Sequence, residues 1–390
     1  MHLILNLSTV ILFACGVCVW QPAAARDAAT TPTASASASA SATNTPQALP
    51  KAAPTIDTAA IEKAMAVHMR EQSIPGVGMA IVHNGKAIYA KGFGRANLEH
   101  DIPVTTDSVF LITSVSKPMI AMGIVLLAQQ GKLSIDDPVS KHIADTPKAW
   151  SEITLKHLMQ HTAGIVRESP AFDGNKQQLD IDLIKATFAT PLDFATNTKL
   201  QYCNICYFTL AEVITRVSGQ PWPDFMAKQV FAPAGMTATR TASTSAVMPN
   251  RVASYSSKDG VYAVEREYVA LRPSGAFAST INDLVKWEQA IFERRILNAD
   301  SLARLTQPAI LNDGSAAKYA TTPSTAYGLG WALSTFNGQP QVWHGGALAG
   351  FRTIFSRYPE SGLTIIVLTN AASARVQNIE KSIAEIVFAK

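Results

Sequence analysis

The sequence predicts an α/β (α+β) chain: one antiparallel sheet built from both chain ends, flanked by helices, with a mostly helical insertion between the two halves. Three observations predict it. Residues 77–94, VGMAIVHNGKAIYAKGFG, form two apolar, β-rich runs about Asn84-Gly85, the strongest short hairpin signal. Near the other end, residues 341–343 (QVW), 351–358 (FRTIFSRY) and 363–370 (LTIIVLTN) read as three more strands. The middle, about 114–235, is mostly helical in pattern.

Each element has a local reason. Asp57 opens an amphipathic helix with Ile61, Met65 and Met69 on one face, ending before Pro75. Pro118 lacks an amide proton and suits only the first turn of a helix. That helix therefore starts near Ser114 and runs to about Gln130, with Gly131 as its stop. A further helix spans Ile205 to Val217 and stops at Ser218-Gly219. Pro359-Glu360-Ser361-Gly362 turns between the last two strands. The final helix, about 374–388, carries Val376, Ile379, Ile383 and Val387 on one stripe. Thr280 and Asp283 match a capping box before another helix. The sequence carries no internal repeat.

Composition excludes several classes. The chain has 390 residues, 47% apolar and 16% charged, which leaves ample material for a core and excludes intrinsic disorder. A net charge of +4, evenly spread, gives no argument for nucleic acid. Four cysteines in this length are no disulfide scaffold.

Residues 3–20 are mostly apolar and uncharged, and Ala23, Ala24 and Ala25 follow. This reads as a signal peptide over 1–25. A retained membrane anchor and a lipoprotein signal using Cys15 are the other readings. All three place the body outside the cytoplasm, periplasmic or secreted, with membrane contact only through an uncleaved signal or lipid anchor. Residues 26–56 are rich in Ala, Ser, Thr and Pro and read as a linker, so the catalytic domain is expected over 57–390. The longest later apolar stretch, Pro118 to Ala128, suits a buried helix rather than a membrane span.

Three short motifs carry chemistry. Ser114 and Lys117 stand three apart at a helix start and share one face. Backbone N–H groups there are unpaired and can stabilise an oxyanion. A desolvated lysine beside them can accept the serine proton. Ser116 points around the helix instead. Ser315-Ala-Ala-Lys318 has the same spacing but sits in a loop after Asn312-Asp313-Gly314. Tyr202-Cys203-Asn204 is the only Tyr-x-Asn among nine tyrosines. Its spacing puts a phenol and an amide on one side of an extended segment. His344-Gly345-Gly346 follows the strand QVW, where glycines admit a substrate backbone and the Ala347 amide can be a second oxyanion donor. His83-Asn84-Gly85 repeats those letters in a hairpin, which explains it.

In this order, Ser114-x-x-Lys117, Tyr202-x-Asn204 and His344-x-Gly346 resemble the three signatures of the serine β-lactamase-related hydrolases. That group includes class C β-lactamases, serine D-Ala-D-Ala carboxypeptidases, D-aminopeptidases and family VIII carboxylesterases. The resemblance runs from about Ile74-Pro75-Gly76-Val77 to the C-terminus. It takes in GKLSIDDP (131–138), ITLKHLMQHTAG (153–164) and Tyr327-Gly-Leu-Gly-Trp331. The ordered set is specific where single members are not.

The resemblance implies a β-lactamase/transpeptidase-like fold. It implies Ser114 as acyl-accepting nucleophile, Lys117 and Tyr202 as proton-transfer groups, and Asn204 as the substrate amide contact. His344, Gly346 and Ala347 would line the substrate site, with the N–H groups of Ser114 and Ala347 as oxyanion hole. No metal or organic cofactor is expected, and the partner is a small-molecule or peptide acyl substrate.

One departure matters. Class C β-lactamases usually carry Lys-Thr-Gly where this chain has His344-Gly345-Gly346. Losing a charged group and a hydroxyl from a carboxylate site is worth several kcal/mol, on the order of one charge-assisted hydrogen bond or two. This favours an ester, or an amide without a nearby carboxylate, over a β-lactam or a D-Ala-D-Ala terminus. A non-catalytic penicillin-binding-like sensor is a third reading. Arg375 could restore the charge but reads as a surface residue.

Cys203 and Cys206, at a helix start, admit a redox pair, small packing residues or a structural disulfide. His157 and His161 have metal-ligand spacing, but no third ligand is evident and both read as structural. Tyr207 and Trp331 read as core or pocket wall.

Overall fold

The computed structural model describes residues 54–265, 272–320 and 322–389, all within one compact unit, Leu49–Lys390. The leader and linker expected over 1–25 and 26–56 lie outside the described residues, apart from 54–56. No helix among the described residues is long and apolar enough to cross a membrane.

Helix α1 (Thr58–Glu71) starts where the Asp57 carboxylate accepts the Ala60 N–H at 2.9 Å, an N-cap that satisfies a donor the helix leaves open. Strands β1 (Gly76–His83) and β2 (Lys86–Asn97) turn at Asn84-Gly85, both with positive φ, as the predicted hairpin requires. A short β3 (Ile102–Pro103) extends this edge. Helix α2 (Ser116–Gln129) follows, then α3 (Leu155–Met159), α4 (Ile205–Ser218) and α5 (Ile281–Phe292). The chain returns through β4 (Lys318–Tyr319), β5 (Thr322–Tyr327), β6 (Ala332–Phe336), β7 (Gln339–Leu348), β8 (Phe351–Tyr358) and β9 (Leu363–Thr369). It closes in α6 (Val376–Phe388).

The nine strands form one sheet in the order β3-β2-β1-β9-β8-β7-β6-β5-β4, antiparallel throughout. The first strand pairs with the last, Val77 opposite Thr369, so the two chain ends share the sheet as the sequence predicts. Every residue of β1 and β9 is buried, because the sheet is covered on both faces. Val77, Met79 and Ile81 pack towards α1 and α6, while Ala80 and Val82 join the core of the helical part. Period-two alternation thus feeds two cores from one strand. Helix α2 is buried along almost its whole length, so it is apolar all round and forms the centre of the helical region.

Three local expectations are corrected. Ser114 lies in a 3-10 turn, Thr113–Val115, and the α-helix begins only at Ser116. The motif His344-Gly345-Gly346 does not follow a strand but lies inside β7, because Gly345 and Gly346 pair with Ile354 and Thr353 of β8. The Thr280–Asp283 box is half formed. Thr280 accepts from the Asp283 N–H, but the Asp283 carboxylate binds the N–H groups of Ala238 and Thr239. A complete capping box stands instead at Thr154 and His157.

Candidate active site

The turn that carries Ser114 is held from two sides. Ile112 N–H donates to the Phe277 carbonyl at 2.9 Å, and the Thr353 hydroxyl of β8 donates to the Ile112 carbonyl at 2.9 Å. Thr113 takes φ 50°, a strained value for a β-branched residue that persists only where the surroundings fix it. Ser116 faces away, its hydroxyl accepting from the Phe277 N–H at 3.0 Å.

Lys117 is fully buried one turn on. Its Nζ lies 3.2 Å from Ser114 Oγ, 2.8 Å from Asn204 Oδ1 and 2.7 Å from the Ser274 carbonyl. It also sits 4.6 Å from the centre of the Tyr202 ring. Burial holds its pKa well below the ordinary lysine value; Glu168 opposes this, while Arg272 and Arg167 add to it.

Tyr202 and Asn204 flank Cys203 just before α4. Enclosure pushes the Tyr202 phenol upward, and its interaction with the Ser114 hydroxyl partly offsets that. The Arg167 guanidinium lies over its ring, 5.3 Å from the centre. The Asn204 amide gives its oxygen to Lys117 and donates from Nδ2 to Glu168, whose other oxygen pairs with Arg272 Nη2 at 2.5 Å. Cys203 and Cys206 are joined in a disulfide. The bond sets aside the reading as free packing residues and accords with both the structural disulfide and the redox pair, and it ties the segment between Tyr202 and α4 to the helix's first turn.

The two histidines with metal-ligand spacing serve separate ends. His157 completes the capping box at Thr154. His161 is fully buried with φ 61°, and its ring packs 4.4 Å from that of Tyr202. Its Nδ1 accepts the Cys203 N–H at 3.1 Å.

His344 is buried and fully engaged. Nδ1 lies 2.7 Å from the Gly345 carbonyl, which can only accept, so Nδ1 carries the proton. Nε2 must then accept from the Tyr327 hydroxyl, 2.9 Å away. Burial, with Lys117 nearby, pushes the imidazole down to about 3. His344 is therefore expected to stay neutral, as the Nδ1–H tautomer, from pH 8 to pH 5 in an NMR titration. A midpoint near the ordinary histidine value of about 6.5 would contradict this geometry.

Ser114, Tyr202, His344, Gly346 and Ala347 line one cavity of 940 Å³. Arg167, Arg352 and Arg375 line it too. Arg375, read from sequence as a surface residue, is exposed but sits on the cavity wall. Tyr207 and Trp331 are core: the Tyr207 hydroxyl donates to the Met159 carbonyl, and Trp331 stacks on Trp287. Sequence reasoning missed Glu168, Arg167, Arg272, His161's place against Tyr202 and the Ser274 carbonyl. The decoy pair, Ser315 and Lys318, lies in a loop and in β4, away from these residues' contacts.

Comparison with known proteins gives a consistent result. The family model described as Beta-lactamase matches residues 59–388. Penicillin-binding protein 4* of Bacillus subtilis (strain 168) is 29% identical over 309 residues, covering 73% of this chain and 66% of the relative. The chain thus spans just under two thirds of that protein's length. Among solved structures, the octameric penicillin-binding protein homologue from Pyrococcus abyssi aligns with a TM-score of 0.75 at 24% identity, covering 86% of this chain and 78% of that one. D-amino acid amidase from Ochrobactrum anthropi SV3 aligns with 0.75 at 22% identity, covering 85% and 99%. At these identities the two structural likenesses speak to the fold, a β-lactamase/transpeptidase-like one.

Proposed function

The chain belongs to the Beta-lactamase family, and from that premise we propose that it is a serine hydrolase that works through an acyl-enzyme on Ser114 and takes an ester or amide substrate. The observation that carries this reading is the position of Lys117 Nζ, in reach of Ser114 Oγ, Asn204 Oδ1 and the Ser274 carbonyl in a buried site.

The two shifted groups divide the proton work. A lysine held below its usual pKa offers a neutral amine, which can take the Ser114 proton as Oγ attacks the substrate carbonyl. A phenol pushed upward keeps its proton, and Tyr202 can hand it to the leaving group. That leaves a Tyr202 phenolate beside the Lys117 ammonium, and transfer of the proton from the ammonium to the phenolate restores both groups. The N–H groups of Ser114 and Ala347 would hold the oxyanion. In deacylation, water replaces the leaving group and the same pair works in reverse.

The substrate preference rests on His344. A neutral imidazole with both nitrogens engaged offers no charge to a substrate carboxylate. This supports a neutral ester or amide. A second reading, β-lactamase or D-Ala-D-Ala carboxypeptidase, draws on the three arginines of the cavity wall, which could receive a carboxylate. Placement outside the cytoplasm, periplasmic or secreted, is supported by residues 1–25 and by the penicillin-binding relative.

A fluorophosphonate probe followed by peptide mass spectrometry tests the mechanism: an adduct on Ser114 is expected. No adduct would favour the non-catalytic sensor. A panel of p-nitrophenyl esters, D-amino-acid amides and a chromogenic cephalosporin then separates the two substrate readings, with the ester or amide expected to be turned over faster.

A further inference from the structure

Asn204 is a carboxamide with two nearly isosteric ends, and which end meets Lys117 decides whether the lysine can act. A neutral amine has two N–H bonds and one lone pair. Here Nζ has three partners: the Ser274 carbonyl, Asn204 Oδ1 and Ser114 Oγ. The first two are acceptors and take the two N–H bonds, which leaves the lone pair for the Ser114 hydroxyl. If the amide were turned over, its NH2 would donate to that lone pair and occupy the base.

Glu168 forbids the turned-over state. An ionised carboxylate can only accept, and Glu168 Oε1 faces Asn204 Nδ2. Turning the amide would set two oxygens against each other. Glu168 is itself fixed by Arg272 Nη2 at 2.5 Å, and the Arg272 guanidinium lies 3.7 Å from the centre of the Phe172 ring. Glu168 does not line the cavity, and its hydrogen bond into the site is the one to Asn204. Resting on the serine-hydrolase reading above, we propose that Glu168 is a positioning residue for acyl transfer: its carboxylate holds the Asn204 amide with its oxygen towards Lys117, and so keeps the lysine lone pair on Ser114.

The same carboxylate leaves a mark on pH dependence. The groups that face Lys117 are Tyr202, Tyr207, His161, His344, Arg167, Arg272 and Glu168. Both histidines are held down by burial, and the two arginines lower the lysine further. Glu168 raises it. Removing the Glu168 charge therefore lowers the Lys117 pKa. The acid limb of kcat/KM, where the base loses its proton acceptor form, should move to lower pH.

The experiment compares wild type, Glu168→Gln and Glu168→Asp on a p-nitrophenyl ester, with Ser114 labelling rates and melting curves in parallel. Glutamine can present either end to Asn204, so kcat should fall roughly 10- to 100-fold, the scale of a lost hydrogen bond to a charged group, with KM changed far less. The acid limb should shift to lower pH. Aspartate keeps the charge but withdraws it by one methylene, so its acid limb should stay near wild type while kcat falls. Wild-type kcat and acid limb in a folded Glu168→Gln would overturn the proposal. So would a kcat loss with an unmoved limb, which marks a merely structural role. If Glu168→Gln does not fold, Glu168→Asp decides: unchanged kcat and labelling rate overturn the proposal. Failure of wild type to be labelled at Ser114 is a different result, and it removes the serine-hydrolase reading itself.

Discussion

Ser114→Ala is expected to abolish ester hydrolysis, by about 10⁴- to 10⁶-fold in kcat, and to leave the melting temperature within about 2 °C of the parent. The two halves of this expectation have separate causes. The nucleophile is one hydroxyl, and no neighbour can replace it: the Ser116 hydroxyl accepts the Phe277 N–H on the other side. Stability is little affected because Ser114 is only half-buried and its Oγ bonds only within the site. The strained φ of Thr113 is a backbone feature held by Thr353 and Phe277, and it does not depend on the Ser114 side chain. Lys117→Met should cost nearly as much activity, and the double variant no more than the worse single one, since the two act as a unit. Steady-state kinetics with a burst-phase check reads this directly. Ester turnover at the wild-type rate in Ser114→Ala would assign the chemistry to another group.

What the sequence made legible was whatever a local pattern can carry. The strands β1 and β9 were readable because runs of Val, Ile and Leu end at Asn84-Gly85 and start after Pro359–Gly362. The strands β5 and β6 were not: TPSTAY and ALSTF are polar, partly exposed and held by their neighbours rather than by their own apolar content. Ser114 and Lys117 were readable as an i, i+3 pair, and Tyr202 and His344 as letters in a fixed order. Glu168 and Arg272 carry no such signal. They meet across 104 positions of chain, from two loops, and only the folded backbone pairs them. The Ser274 carbonyl has no letter at all. The capping box at Thr154 was overlooked because its third residue is His157, where Glu or Gln is the usual signal. The end of β7 was missed for a related reason: glycines 345 and 346 look like a break in a strand, whereas here they are what lets the strand continue against a crowded neighbour.

That crowding sets the second large effect. Gly346→Ala is expected to lower kcat by about 100-fold and to destabilise the fold by about 1–3 kcal/mol. A Cβ at position 346 would stand 1.8 Å from Thr113 Oγ1, 2.5 Å from Thr353 Oγ1 and 2.8 Å from the Ile112 carbonyl. Thr113 is β-branched at a strained φ and has little rotamer freedom, and the Ile112 carbonyl is backbone. Relief therefore comes by moving β7 away from the turn. The turn carries Ser114 and β7 carries Ala347, so the displacement opens the gap between the two proposed oxyanion donors. Trimming the threonine in Gly346→Ala/Thr113→Ala removes the nearest contact but not the carbonyl, and should recover only part of the loss. Gly345→Ala is the control. Its Cβ would meet nothing closer than Gln377 Nε2 at 3.5 Å, ordinary contact, so kcat and melting temperature should stay near the parent. Equal effects at 345 and 346 would mean that any side chain in this strand is harmful. A loss confined to 346 ties the rate to the spacing between the strand and the nucleophile's turn, because the two positions share the strand and differ in what a methyl group would strike.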